Sequence, residues 1–409
     1  MKSFDVPVVY RSPLISAIKK ARKEADRMKK DFSPTLLDFG PVRIYLARHF
    51  GFCYGVENAI DIAFRTIDEN PGKRIFLLSE MIHNPQVNAD LKKNGVAFLQ
   101  DNKGNQIVPF ESLSAEDVVL IPAFGTTLAI EQQLRDIGIR VENYNTTCPF
   151  VEKVWNRSEV IAKNNYTIII HGKPSHEETR ATFSHAAANA PSVVVKDMQQ
   201  TIELAKYITG EKAAADFYTT FKGQYSDGFV VEKDLLRIGV VNQTTMLASD
   251  TQAIADYLRD VMIKKFNLAD ENVKEHFADT RDTLCYATND NQSAVMGMLE
   301  TPADLAIVVG GYNSSNTSHL VELCEEKLPT YFISGEEKLL SVETIMHFNF
   351  HTGRELVAQG YLPKKAPVSV LITSGASCPD AVVENVIAKL IGYFPATKTI
   401  EELEKEFRN

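Results

Sequence analysis

From residue 43 onward the chain repeats one pattern: a short apolar run rich in β-branched residues or leucine, a turn, then a stretch with helical spacing. Strands are expected over 43–48, 75–79, 118–124, 139–144, 167–171, 192–196, 237–242, 305–310, 330–333 and 368–373, with helices between most of them. Such runs linked by helices build parallel strands covered on both faces. The pattern therefore specifies an α/β fold with mostly parallel sheets. Ligands of such sheets bind on the turns beyond the carboxyl ends of the strands. The polar residues of interest all fall on such turns.

Three of the five cysteines occupy these turns. Gly51-Phe52-Cys53-Tyr54-Gly55-Val56 leads into a helical pattern over 56–63. Thr146-Thr147-Cys148-Pro149 leads into 150–161, and Asp282-Thr283-Leu284-Cys285-Tyr286-Ala287-Thr288 into 291–299. A helix amino terminus carries partial positive charge and free N–H groups, which stabilise a thiolate. Three thiolates presented from three separated turns suggest a metal or iron–sulfur site with one position open. Cys324, mid-helix in Leu320-Val321-Glu322-Leu323-Cys324, reads as core. Ser377-Cys378-Pro379 mimics Thr147-Cys148-Pro149, so a four-cysteine site also stands at this point. There is no Cys-x-x-Cys pair, which argues against a zinc ribbon or ferredoxin-type array. One ligand per segment suggests a cluster at the junction of domains.

The segments are an extension over 1–42, α/β domains over 43–147, 148–284 and 285–395, and a helical tail over 396–409 with its helix over 400–407. In the extension, 14–30 is an amphipathic helix pattern; we expect it packed on the body, although its Lys and Arg cluster could dock an acidic protein. Residues 210–233 are expected as a surface insertion. The formal net charge of −9 argues against nucleic acid or an anionic membrane as partner. No apolar stretch approaches transmembrane length, and the amino terminus has neither a signal-peptide apolar core nor the acid-poor character of a transit peptide. A cytoplasmic protein with reduced cysteines is expected.

Other turns offer polar groups. His83 lies in Met81-Ile82-His83-Asn84-Pro85. His176 and Glu178 lie two apart in Lys173-Pro174-Ser175-His176-Glu177-Glu178-Thr179, where they could share a site. Gly310-Gly311-Tyr312-Asn313-Ser314-Ser315-Asn316-Thr317-Ser318 brings hydroxyls, a carboxamide and free N–H groups to the start of a helix, which suits a phosphate. An elaborate helix cap is the plainer alternative. Thr373-Ser374-Gly375-Ala376-Ser377 and Asn242-Gln243-Thr244-Thr245 are similar turns.

Together these stretches resemble the LytB/IspH family, the 4-hydroxy-3-methylbut-2-enyl diphosphate reductases of the methylerythritol phosphate route to isoprenoids. The likeness spans residues 43 to about 395 in the family's order. It implies a cloverleaf of three α/β domains around a central [4Fe-4S] cluster. Cys53, Cys148 and Cys285 look like its three ligands, leaving one iron open. Cys378 stands where many members carry a small non-ligating residue. By the same resemblance the substrate diphosphate binds His83, His176, Ser314, Ser315, Asn316 and Ser377. Thr244 and Glu178 lie near the substrate hydroxyl, with Glu178 relaying protons; Glu178, His176 and Thr244 form the catalytic set. One departure is Phe124, where many members carry a histidine as a further diphosphate contact.

Electrons must come from outside, since there is no Gly-x-Gly-x-x-Gly fingerprint for a nicotinamide or flavin. A ferredoxin or flavodoxin is the expected donor, docking on Lys19, Lys20, Arg22 and Lys23. Two other readings remain open. One is a non-redox iron–sulfur hydro-lyase; the polar turns lack the arginines a di- or tricarboxylate needs. The other is a non-enzymatic metal protein closed by Cys378.

Overall fold

The uniformly apolar runs form strands buried along their whole length, as in Thr167–His171 and Leu305–Val309. The computed structural model describes residues 4–278, 283–395 and 397–408. Asp282, at the head of the third cysteine turn, lies outside them. The chain divides into two units: Met1–Glu57, His83–Val87 and Tyr286–Asn409 form one, and Asn58–Ile82 and Asn88–Cys285 the other.

The first unit holds a five-stranded sheet in the order Thr35–Asp38, Val42–Leu46, Val368–Ser374, Leu305–Val309, Thr330–Ile333. All neighbours run parallel except the edge strand Thr35–Asp38. The expected division at 43–147 and 285–395 is thus not that of the sheets. The strand before Cys53 pairs directly with Val368–Ser374, because both are buried central strands of one sheet. The extension is integral too. Ser12 caps helix Pro13–Ala25, whose Leu14, Ile15 and Ile18 are buried in the same core as Ile44 and Leu371. That helix stops short of the expected residue 30. The Asp26 carboxylate accepts from the Asp31 N–H and Lys29 takes a positive φ, so a turn replaces the last helical turns. Residues 344–359, not foreseen as strands, form the hairpin Thr344–Asn349 with Arg354–Gln359. The tail helix spans Ile400–Arg408.

The second unit holds two three-stranded parallel sheets. Their orders are Val96–Phe98, Ile75–Leu77, Val118–Leu120 and Ser192–Val195, Thr167–His171, Ile238–Asn242. Two expectations fail here. Residues 139–144 are not a strand. Gly138, at φ +94°, ends helix Leu128–Ile137, and Val141–Tyr144 coils as a 3-10 turn. Ile139 and Val141 bury themselves beside Phe76 and Val119 without a ladder, and only Asn145 bridges to Ile121. Nor is 210–233 a surface insertion. Phe217 and Phe221 are fully buried with Phe229 and Val231 in the core over Ile169 and Val240. Gln224 O and Ser226 N bond to the backbone of strand Ser192–Val195, sealing that sheet edge.

Candidate active site

In the first unit the turn after Val42–Leu46 presents Cys53. Its backbone N–H donates to Ala376 O at 3.1 Å, and its carbonyl accepts the Glu57 N–H at 2.9 Å, opening helix Tyr54–Glu69. Gly51, at φ +79°, allows the sharp reversal and donates its N–H to Ser374 Oγ at 3.1 Å. Burial pushes the Cys53 thiol up, opposed by hydrogen bonds from the Val56 and Gly55 backbone N–H groups. The helix amino terminus is therefore present, and burial outweighs it at the sulfur.

The same unit assembles the predicted phosphate turn. Ser314 caps helix Ser315–Glu325, accepting the Thr317 N–H at 3.2 Å. Ser315 and Asn316 are buried behind it. Asn316 Oδ1 accepts from the Ala376 N–H at 2.9 Å and from Asn291 Nδ2 at 3.3 Å, which fixes its amide and turns Nδ2 the other way. That Nδ2 is buried and, among the described residues, has no partner. A buried donor left unsatisfied costs roughly 1–3 kcal/mol, so a group that accepts from it is expected there. Ser377 Oγ donates to the His83 carbonyl at 3.2 Å, and a side chain on Gly311 would collide with that carbonyl. The unit thus gathers His83, Ser314, Ser315, Asn316 and Ser377. Thr317 escaped the sequence reading: its hydroxyl is buried and unpartnered among the described residues, where side chains on Gly310 or Gly375 would strike it. Two strand ends finishing in glycine were the available signal.

The second unit gathers the remaining residues. His176 is the N-cap of helix Glu177–Ala187, its Nδ1 accepting the Glu178 N–H at 3.2 Å. This bond assigns the proton of the neutral ring to Nε2. Phe124 packs edge-to-face on that ring, centroids 5.7 Å apart at 83°. Glu178, only 2% exposed, accepts from the Thr244 N–H at 2.5 Å and the Thr244 hydroxyl at 3.0 Å. Thr244 O in turn accepts the Cys285 N–H at 3.3 Å. Asn242 pins the cysteine turn from the strand end, donating its N–H to Thr283 Oγ1 at 2.9 Å. Gln243 ties the turns together, its Oε1 accepting from Thr179 Oγ1 at 3.0 Å and the Lys173 N–H at 3.2 Å. Cys148 is the N-cap of helix Pro149–Lys163, its N–H donating to Ala123 O at 2.9 Å.

The cysteines sort by environment. Cys53, Cys148 and Cys285 are partly exposed, whereas Cys324 and Cys378 are fully buried. Burial pushes both buried thiols up to about 12. Cys378 packs in the core with Ile372 and Val383. Cys53 belongs to the first unit, Cys148 and Cys285 to the second. Among the described residues no three His, Cys, Asp or Glu side chains already form a metal-holding group. As a donor set, three accessible thiols at helix starts fit iron–sulfur ligation, and backbone N–H groups directed at sulfur are among its tuning devices.

The extension's cations are only partly available. Lys19 pairs with Asp380 at 2.7 Å, and Arg22 donates to the Asp31 carboxylate at 3.0 Å and to Ser33 O at 2.9 Å. Lys20 and Lys23 face solvent. Among the described residues no helix is long and apolar enough to cross a membrane.

The chain matches the model of the LytB protein family over residues 44–391. A 4-hydroxy-3-methylbut-2-enyl diphosphate reductase of Picosynechococcus sp. (strain ATCC 27264 / PCC 7002 / PR-6) is 40% identical over 382 residues, 93% of this chain and 89% of that protein. The reductase of the same name from Prochlorococcus marinus (strain MIT 9211) is 40% identical over 358 residues, 87% of this chain and 86% of that protein. A solved structure of (E)-4-hydroxy-3-methyl-but-2-enyl diphosphate reductase, the terminal enzyme of the non-mevalonate pathway, is 26% identical with a TM-score of 0.51. It covers 85% of this chain and 99% of its own. The Plasmodium falciparum E-1-hydroxy-2-methyl-but-2-enyl-4-diphosphate reductase shares the fold at 21% identity and a TM-score of 0.60, covering 86% of this chain and 88% of its own.

Proposed function

The chain belongs to the LytB protein family, and from that premise we propose that it is a 4-hydroxy-3-methylbut-2-enyl diphosphate reductase. It removes the allylic hydroxyl of (E)-4-hydroxy-3-methylbut-2-enyl diphosphate as water, taking up two electrons and two protons. The products are isopentenyl and dimethylallyl diphosphate. The observation that carries this reading is the buried Glu178–Thr244 pair, bonded through Thr244 O to the Cys285 turn and lying next to the His176 cap. It offers a proton carrier beside a metal-ligand type of residue.

The chain's own residues divide the work. The diphosphate is held by the N–H groups at the start of helix Ser315–Glu325, by Ser314, Ser315, Asn316 and Ser377, and by His83 and His176. An anion suits a helix amino terminus, and the idle Asn316 Nδ2 gains an acceptor. Binding energy remote from the reacting carbon then orients the hydroxyl. Glu178, as the acid, gives its proton to the departing hydroxyl, because water leaves far more readily than hydroxide. Thr244 keeps the carboxyl group aligned through its two hydrogen bonds. Cys53, Cys148 and Cys285 would hold an iron–sulfur cluster, [4Fe-4S] with one iron lacking a protein ligand. When bound, it supplies electrons and Lewis acidity. The donor is a ferredoxin or flavodoxin, and the setting is cytoplasmic, where the thiols stay reduced.

The test is anaerobic purification followed by iron and sulfide analysis, spectroscopy with and without the diphosphate substrate, and turnover with and without reductant. A substrate-sensitive cluster and strictly reductant-dependent turnover are expected. Turnover without reductant would replace this reading with a hydro-lyase.

A further inference from the structure

The residues around Cys53 are each engaged by the amino-terminal segment. Phe4 meets the Tyr54 ring edge-on at 4.8 Å, and Tyr10 meets Phe52 at 6.0 Å. The Lys19 ammonium lies 4.7 Å above the Phe50 ring while pairing with Asp380 at 2.7 Å. Gly51 is wedged against that ion pair; a side chain there would collide with the Asp380 carboxylate and stand 2.9 Å from Lys19 Nζ.

The strap is itself fixed. Arg11 closes the 4–11 loop by donating to Phe4 O at 3.0 Å and Val6 O at 3.3 Å. Ser12 caps the following helix and bonds Glu384. Phe4 and Tyr10 are buried, so these contacts are shielded from water and not idle surface touches. Cys53 itself is tied to the core sheet's turns through its backbone N–H, which donates to Ala376 O.

We infer that segment 4–25 is a positioning strap that fixes the Cys53 turn, with Lys19 as its central residue, and not chiefly a docking arm for a partner. The ammonium does two jobs at one point. It neutralises Asp380 beneath Gly51 and clamps Phe50 by cation–π attraction. Its loss frees one side of the turn that carries the sulfur. The inference rests on the reading of Cys53 as a ligand for its purpose, but its geometry stands without that reading.

The test is site-resolved alkylation of the full chain. Each cysteine's labelling rate is followed by mass spectrometry after chelation, and iron per chain is measured on the anaerobically purified protein. Lys19→Met should label at Cys53 about tenfold faster than wild type, as expected for losing a partly desolvated ion pair together with a cation–π contact. Cys148 and Cys285 should keep their rates, and iron per chain should fall. Lys19→Arg should restore the wild-type rate and iron content. Lys23→Met, on the exposed face of the same helix, should change neither. An unchanged Cys53 rate in Lys19→Met, or equal acceleration of all three cysteines, would overturn the strap. If the wild-type chain bound no iron at all, the proposed function would fail, while the labelling rates would still decide the strap.

Discussion

Glu178 and Thr244 are joined at both ends of the carboxylate: the backbone N–H reaches one oxygen at 2.5 Å and the hydroxyl reaches the other at 3.0 Å. Both residues are buried. In Glu178→Gln the amide oxygen can keep the N–H bond while the amide NH2 turns to the hydroxyl, which rotates to accept. The fold and iron content should therefore persist. Turnover should drop by about 10²–10⁴-fold, the usual worth of a positioned proton donor. Steady-state kinetics beside iron analysis checks this; wild-type turnover in the amide variant would remove Glu178 from the chemistry.

Phe124 packs its ring edge-to-face against His176. The imidazole is held from one side by the Glu178 N–H and from another by the aromatic edge. An aromatic pair of this kind contributes about 0.5–1.5 kcal/mol, a factor of roughly 2–13 in an equilibrium. Phe124→Ala should raise KM for the diphosphate by about that factor and leave kcat nearly unchanged. A KM equal to wild type would separate Phe124 from the diphosphate pocket.

Much of this was legible in the residues. Strands such as Thr167–His171 and Thr330–Ile333 stand where uniform apolarity put them. His176, Glu178 and Thr244 come together because the turns and the helix start that carry them follow strands of one parallel sheet at its carboxyl end. What escaped was non-local. Ile139 and Val141 have the composition of a strand, but the Gly138 helix end and a 3-10 turn bury them without a ladder. Residues 210–233 read as a surface insertion, but the sheet edge Ser192–Val195 gives Phe217 and Phe221 a core to join. The pairing of Val42–Leu46 with Val368–Ser374 joins residues more than 300 positions apart, which no local pattern encodes.

Cys378 is the discriminating cysteine. Its side chain is buried in the core and its thiol is pushed up to about 12 by burial. Cys378→Ala should leave iron per chain unchanged and cost about 1 kcal/mol of stability, the scale of a small core truncation. Cys53→Ala, Cys148→Ala and Cys285→Ala should each deplete iron. Iron loss in Cys378→Ala without loss of thermal stability would return the fourth ligand to consideration.

His49 carries a pH signature unrelated to catalysis. Burial is the main cause holding its pKa down, from 6.5 to about 4, against the pull of Asp290. Its ring packs edge-on to Phe32 at 6.0 Å, and its Nε2 is buried with no partner among the described residues. The folded value lies below the unfolded one, so the neutral ring favours the folded state. That contribution is complete above about pH 6.5 and is lost as pH falls toward 4. Chemical denaturation at pH 7 and at pH 5 should show wild-type stability declining between them. His49→Phe keeps an aromatic ring against Phe32 and removes the titration, so its decline over the same interval should be smaller. Equal declines in both proteins would mean that another group sets the acid sensitivity of the first unit.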